Sequence, residues 1–278
     1  MRTVLLTIAA SALLMTACNN TTEESSTEKD STATTTMASI KEEAVDYSAG
    51  GTNMKGYVYY DENKQAARPV VLVVPEWWGL NDYPRMRARK LAELGYLAMA
   101  VDMYGEGKVA ETPDDAQKTA MPFYQNPAMS KERLDAAWAK AKSFAQADST
   151  QAAAIGYCFG GTMVLQSALQ GAPYAGVVSF HGGLEGLEVK QKPVANILIC
   201  QGGADSFVPQ DQVTAFRKAL DSVGAAYTYK EYPDATHAFT NPNSTETGKK
   251  FNMPIRYNAA ADSASWNDMK EFFGKIFH

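Results

Sequence analysis

The sequence predicts an α/β domain with a mostly parallel central sheet and helices on both faces. Two observations lead there. Short runs such as "PVVLVV" (69–74) and "AAAI" (152–155) are apolar at every position, as strands buried on both faces are. Helix-spaced segments of ten or more residues alternate with such runs, which calls for parallel strands joined by crossover helices.

Residues 1–17 precede that domain. Arg2 is followed by an apolar stretch from Val4 to Met15, too short to span a bilayer and shaped like a signal peptide. It ends "MTAC", which resembles the bacterial lipobox; the resemblance implies that Cys18 is lipidated and becomes the first residue of the mature chain. Residues 18–39 are rich in Thr, Ser and Glu and cannot bury enough apolar surface to fold, so they read as a tether. The expected address is the bacterial cell envelope, with the chain exported and held to a membrane by its N-terminal lipid anchor. Residues 40–278 form the domain.

The domain opens with an antiparallel hairpin, "AVDYS" (44–48) and "MKGYVYYD" (54–61) around "AGGTN". The buried strand 69–74 stops at Pro75. A helix runs from Asp82 to Leu94 and is closed by Gly95. "YLAMAVDMY" (96–104) is the next strand, and residues 105–129 are the least regular stretch, placed as a cap over one end of the sheet. Ser130 is the expected N-cap of a helix over 130–147. "QAAAIGY" (151–157) is a strand leading into a helix over 160–169, and "AGVVSFHG" (175–182) and "VANILICQG" (194–202) are further strands. A helix over 209–224, an edge-like strand "AYTYKEYP" (226–233) and a last helix within 254–277 complete the chain.

Sites in open α/β sheets form at the carboxyl ends of the strands. Four reactive side chains fall there: Glu76, Cys158, Asp205 and His237. "GYCFG" (156–160) has the form of a nucleophile elbow with cysteine at its tip. The glycines allow the sharp strand-to-helix turn, and the Phe159 N–H is set to face a developing oxyanion. His237 would move protons, oriented by Asp205 upstream. Asp211 competes with Asp205 but lies inside the following helix. His181 reads as a structural or substrate-facing residue, and His278 as part of a frayed end. A carboxylate such as Glu76, just past a buried strand, needs a partner or a function.

With Cys18 assigned to processing, Cys158 and Cys200 remain of the three cysteines. Cys200 within "NILIC" is best read as a buried hydrophobe, with a Cys158–Cys200 redox pair as the weaker reading. Neither cysteines nor histidines show metal-ligand spacing, and no metal or cofactor is expected. The formal net charge of −5 gives no basic surface, so nucleic acid is not an expected partner. The oligomeric state is not legible; a monomer is favoured.

"IGYCFGG", "PEWWGLND", "DMYG", "GGADSFVP" and "HAFTNP", in that order over most of residues 45–277, resemble the dienelactone hydrolase family of α/β-hydrolases. The resemblance implies the α/β-hydrolase fold, a Cys158–His237–Asp205 triad, and Glu76 holding the resting thiol. It also implies that the Trp77 N–H joins that of Phe159 in the oxyanion hole. The family's two carboxylate-gripping arginines fall at Glu106 and Asn241 here, which bind a carboxylate poorly. The expected reaction is hydrolysis of a small ester or lactone other than the anionic dienelactone. The alternative is a non-catalytic small-molecule binding protein on the same fold.

Overall fold

A computed structural model describes residues 38–277; the expectations for the signal peptide, Cys18, most of the tether and His278 lie outside the described residues. The strands are β1 (Ile40–Ala49), β2 (Thr52–Asp61), β3 (Arg68–Val74), β4 (Leu97–Ala100), β5 (Ala147–Tyr157), β6 (Gly176–Phe180), β7 (Asn196–Gly202) and β8 (Tyr227–Tyr232). They form one sheet of eight in the order β1-β2-β4-β3-β5-β6-β7-β8. The hairpin β1–β2 joins β4 antiparallel, and every pair from β4 to β8 is parallel. β8 is an edge strand, as its polar alternation suggests.

The helices are α1 (Asp82–Glu93), α2 (Pro113–Gln125), α3 (Pro127–Ala141), α4 (Phe159–Leu169), α5 (Gln210–Ser222), α6 (Ser244–Phe251) and α7 (Ala259–Ile276). Strand periodicity divides the interior into two cores. Val70, Leu72 and Val74 of β3 pack with Leu134 of α3, Met163 of α4 and Phe216 of α5. Val71 and Val73 face the other way, against Leu91 of α1 and Phe273 of α7. A fully apolar strand thus has a helical layer on each side.

Four expectations need correction. Ser130 does not cap α3; the helix starts at Pro127 after Asn126, and Ser130 is buried inside it, its Oγ donating to Gln166 Oε1 at 2.5 Å. The stretch expected to be irregular contains α2, which Thr112 caps by accepting from the Asp115 N–H at 3.3 Å. β4 stops at Ala100 rather than Tyr104 because Asp102 gathers the following turn. Its carboxylate accepts from the N–H groups of Tyr104 (3.0 Å), Gly105 (2.9 Å) and Gly107 (2.8 Å), and from Lys55 of β2 (3.0 Å). The short helix α6 lies in a segment for which no element is expected.

Candidate functional site

The site begins where β5 passes into α4 with only Cys158 between them. Cys158 has φ 51° and ψ −116°, a conformation that a side-chain-bearing residue adopts only when its surroundings enforce it. Two glycines enforce it. A Cβ on Gly156 would fall on the Gly160 carbonyl, and one on Gly160 would fall on the carbonyls of Val74 and Pro75. The elbow therefore closes against the end of β3, which brings Glu76 and Trp77 beside the start of α4.

His237 lies in the loop after β8. Its Nδ1 is 2.8 Å from Asp205 Oδ2, and its ring lines one cavity with Cys158. Asp205 is fixed in turn by the Phe207 N–H on Oδ1 (2.9 Å) and by Gln201 Nε2 on Oδ2 (3.1 Å). With Asp205 on Nδ1, the ring's Nε2 is the edge left for sulfur. Burial opposes a charge on this imidazole, but the neighbouring Cys158 sulfur and the Asp205 carboxylate outweigh it and hold the ring well above its ordinary range. A ring held there is suited to take a proton from a group beside it.

Phe159 is the first residue of α4, where a backbone N–H has no acceptor within the helix. The Glu76 carbonyl accepts from the Gly79 N–H at 3.0 Å, which turns the N–H of the same peptide, that of Trp77, the opposite way. The Trp77 carbonyl is held by Tyr104 Oη at 2.8 Å. Both expected oxyanion donors thus belong to residues lining one cavity with Cys158 and His237.

Glu76 is 3% exposed and takes its hydrogen bond from Asn241 Nδ2 at 2.7 Å. The Asn241 amide cannot be turned round, because its oxygen accepts from the Asn243 N–H at 3.0 Å. Burial pushes the Glu76 carboxyl up to about 7, opposed by the Asn241 hydrogen bond and, less strongly, by His237 and Arg87. In this structure, then, Glu76 is held by Asn241, not engaged with the resting thiol as the resemblance implies.

The cavity above Cys158 has a volume of about 220 Å³. Trp77, Trp78, Tyr124, Phe207, Val208 and Met253 are among its apolar walls; among the described residues no lysine or arginine lines it. Of the two positions where arginines were looked for, Asn241 reaches the cavity. Glu106 is not among the lining residues and is paired instead with Lys55 Nζ at 3.1 Å. Cys158 and Cys200 are both free thiols, and Cys200 is wholly buried in the core on the α1/α7 side of the sheet, its thiol pushed up to about 12 by burial.

His181, expected to be structural or substrate-facing, is structural here. Fully buried at the end of β6, its Nδ1 accepts from the Cys158 N–H at 3.1 Å, a donor shared with the Phe180 carbonyl at 3.0 Å. Its Nε2 therefore carries the proton and points at Thr240 Oγ1, 2.7 Å away. Thr240 Oγ1 meets Tyr83 Oη at 2.6 Å, and Arg87 reaches Tyr83 Oη (3.3 Å), the Thr240 carbonyl (2.5 Å) and Asp262 (2.5 Å). Burial, His237 and Arg87 push His181 well below its ordinary range, so it serves as a neutral bracket behind the elbow. Its place directly after a strand was the one legible signal. Partners 59 and 157 positions apart in sequence were not legible.

A mostly parallel sheet with a cysteine elbow, a histidine–aspartate pair and an apolar cavity at the strand ends defines a hydrolase of the α/β-hydrolase type. The dienelactone hydrolase family model matches residues 54–277, and the chain belongs to that family, an ester or lactone hydrolase by class. Among its relatives is the Escherichia coli K12 protein named "Putative carboxymethylenebutenolidase", 29% identical over 250 residues that cover 80% of this chain and 83% of the relative. The "Protein usf" of Aquifex pyrophilus is 25% identical, covering 83% and 97%. Among solved structures, a dienelactone hydrolase-like promiscuous phosphotriesterase from metagenomic libraries superposes with a TM-score of 0.81 at 32% identity, over 86% of this chain and 99% of that one.

Proposed function

We propose that the protein hydrolyses a small, uncharged ester or lactone through a Cys158–His237–Asp205 triad. The observation that carries this reading is the strained elbow residue Cys158 sharing one cavity with an imidazole that Asp205 grips at 2.8 Å. In the reaction, the Cys158 sulfur attacks the carbonyl carbon while the N–H groups of Phe159 and Trp77 hold the oxyanion. The C–O bond breaks, and the His237 imidazolium gives its proton to the leaving oxygen. His237 then takes a proton from water, which cleaves the thioester and returns the thiol. Glu76 lies at the cavity as a carboxyl with two accessible protonation states near neutral pH, suited to the step in which thiol and thiolate exchange.

A described lining without lysine or arginine supports a neutral substrate over the anionic dienelactone. A neutral phosphotriester meets the same lining, and the similar metagenomic protein is named for that activity. With Cys18 lipidated, the enzyme would act at a membrane surface of the cell envelope, tethered by residues 18–39. The test is turnover of p-nitrophenyl acetate by the full chain, with Cys158→Ala as the control. Hydrolysis lost in the variant supports the reading; a tightly held small ligand with no turnover across an ester and lactone panel overturns it.

A further inference from the structure

Beside the apolar cavity lies a second one of about 260 Å³, and Trp78 and Asn241 belong to the walls of both. The chemistry changes across that partition. Asp82, Glu111 and Asn243 line the second cavity, with Phe251 closing it. Trp78 and Phe251 are stacked at 5.8 Å and 28°, which forms an aromatic wall. Asn243 stands at the N-cap of α6, yet its side chain makes no capping hydrogen bond. Its amide thus has no capping bond, on a polar cavity that shares Trp78, Asn241 and Thr247 with the cavity above Cys158.

These groups select a ligand class. The Glu111 carboxylate disfavours an anion, while Asp82, fully exposed, is paired with Arg85 Nη1 at 3.6 Å. Carboxylates and amides side by side match vicinal hydroxyls, each of which both donates and accepts. An aromatic wall suits the C–H face of a saturated ring. A cationic alcohol would also suit acid and aromatic groups, but the Lys250 ammonium already lies 4.8 Å from the Phe251 ring centre, and the amide of Asn243 adds nothing that a cation needs.

We infer that the second cavity is the alcohol-side subsite and takes a neutral, hydroxyl-rich group, so that the preferred substrate is a short acyl ester of a sugar or polyol. This rests on the hydrolase reading above. The acyl group occupies the apolar cavity, the Cys158 S–C bond forms as the bond to the sugar oxygen breaks, and that oxygen leaves with the His237 proton. Water then releases the acid.

The test compares kcat/KM of the full chain for three unactivated butyrates: ethyl butyrate, 6-O-butyryl-glucose and butyrylcholine. The glucose ester is expected to exceed ethyl butyrate by about tenfold, the value of one or two hydrogen bonds. In the Asn243→Ala, Glu111→Gln double variant this ratio should collapse toward one, mostly through KM. Equal rates for the ethyl and glucose esters, a ratio unmoved in the variant, or a preference for butyrylcholine would overturn the inference. Turnover of p-nitrophenyl acetate, lost in Cys158→Ala, would meanwhile leave the hydrolase reading standing. Failure of every ester, p-nitrophenyl acetate included, would remove both.

Discussion

Glu76→Gln should make the protein's stability less sensitive to alkaline pH. In the folded chain the carboxyl is buried, with one neutral donor, Asn241, at 2.7 Å, and it is pushed from the ordinary 4.5 up to about 7. Between those values the folded state holds a proton that the unfolded state has released. Stability therefore falls as pH rises through that window and levels off above it. The displacement is worth about 3 kcal/mol. Glutamine keeps the acceptor for Asn241 and has no charge to bury. Its extra N–H group costs about 1–2 kcal/mol at every pH if unpartnered, so the change with pH carries the test. Urea unfolding of both full chains between about pH 4.5 and pH 8 should show the variant gaining on the parent by about 3 kcal/mol, or about 6–12 °C in Tm for a domain of this size. The same variant should lose esterase activity, as expected where a costly buried group serves the site. A stability difference that stays flat across this range would refute the placement of Glu76 as a buried, singly bonded carboxyl.

Two further predictions follow from the geometry. Asp205→Asn removes the acceptor that sets the His237 tautomer and should lower kcat for p-nitrophenyl acetate by about a thousandfold with little change in KM; stopped-assay kinetics check it. His181→Leu removes both hydrogen bonds of the bracket, and should cost about 2–3 kcal/mol in urea unfolding and about ten- to a hundredfold in kcat. His181→Asn, whose amide oxygen can replace Nδ1 as acceptor, should restore part of kcat. Equal kcat in all three proteins would remove His181 from any positioning role.

The parallel sheet was legible because "PVVLVV" and "AAAI" need burial on both sides, and only a layer of helices on each face supplies it. The hairpin, α1, α4, α5 and α7 were legible for similar local reasons. Element ends were less so. Ser130 has the chemistry of an N-cap, but the run from Asn126 and Pro127 starts the helix earlier, and Ser130 is drawn into a buried bond with Gln166. Within the site, chain order and strand-end position located Cys158, His237, Asp205 and Glu76, because such side chains are scarce there. The Asn241–Glu76 bond spans 165 positions, and the bracket through His181, Thr240, Tyr83 and Arg87 joins α1 to the loops after β6 and β8. Neither has a local pattern, since tertiary packing alone brings their members together. Position 241 was noticed for the charge it lacks, whereas its amide is what fixes Glu76.

The most direct measurement is intact-protein and peptide mass spectrometry of the full chain, quenched during turnover of p-nitrophenyl acetate. An acetyl group on the Cys158 peptide, accumulating in His237→Ala and absent from Cys158→Ala, is the predicted result. Undiminished hydrolysis in Cys158→Ala, or an acetyl adduct confined to another residue, would contradict the assignment of Cys158 as nucleophile.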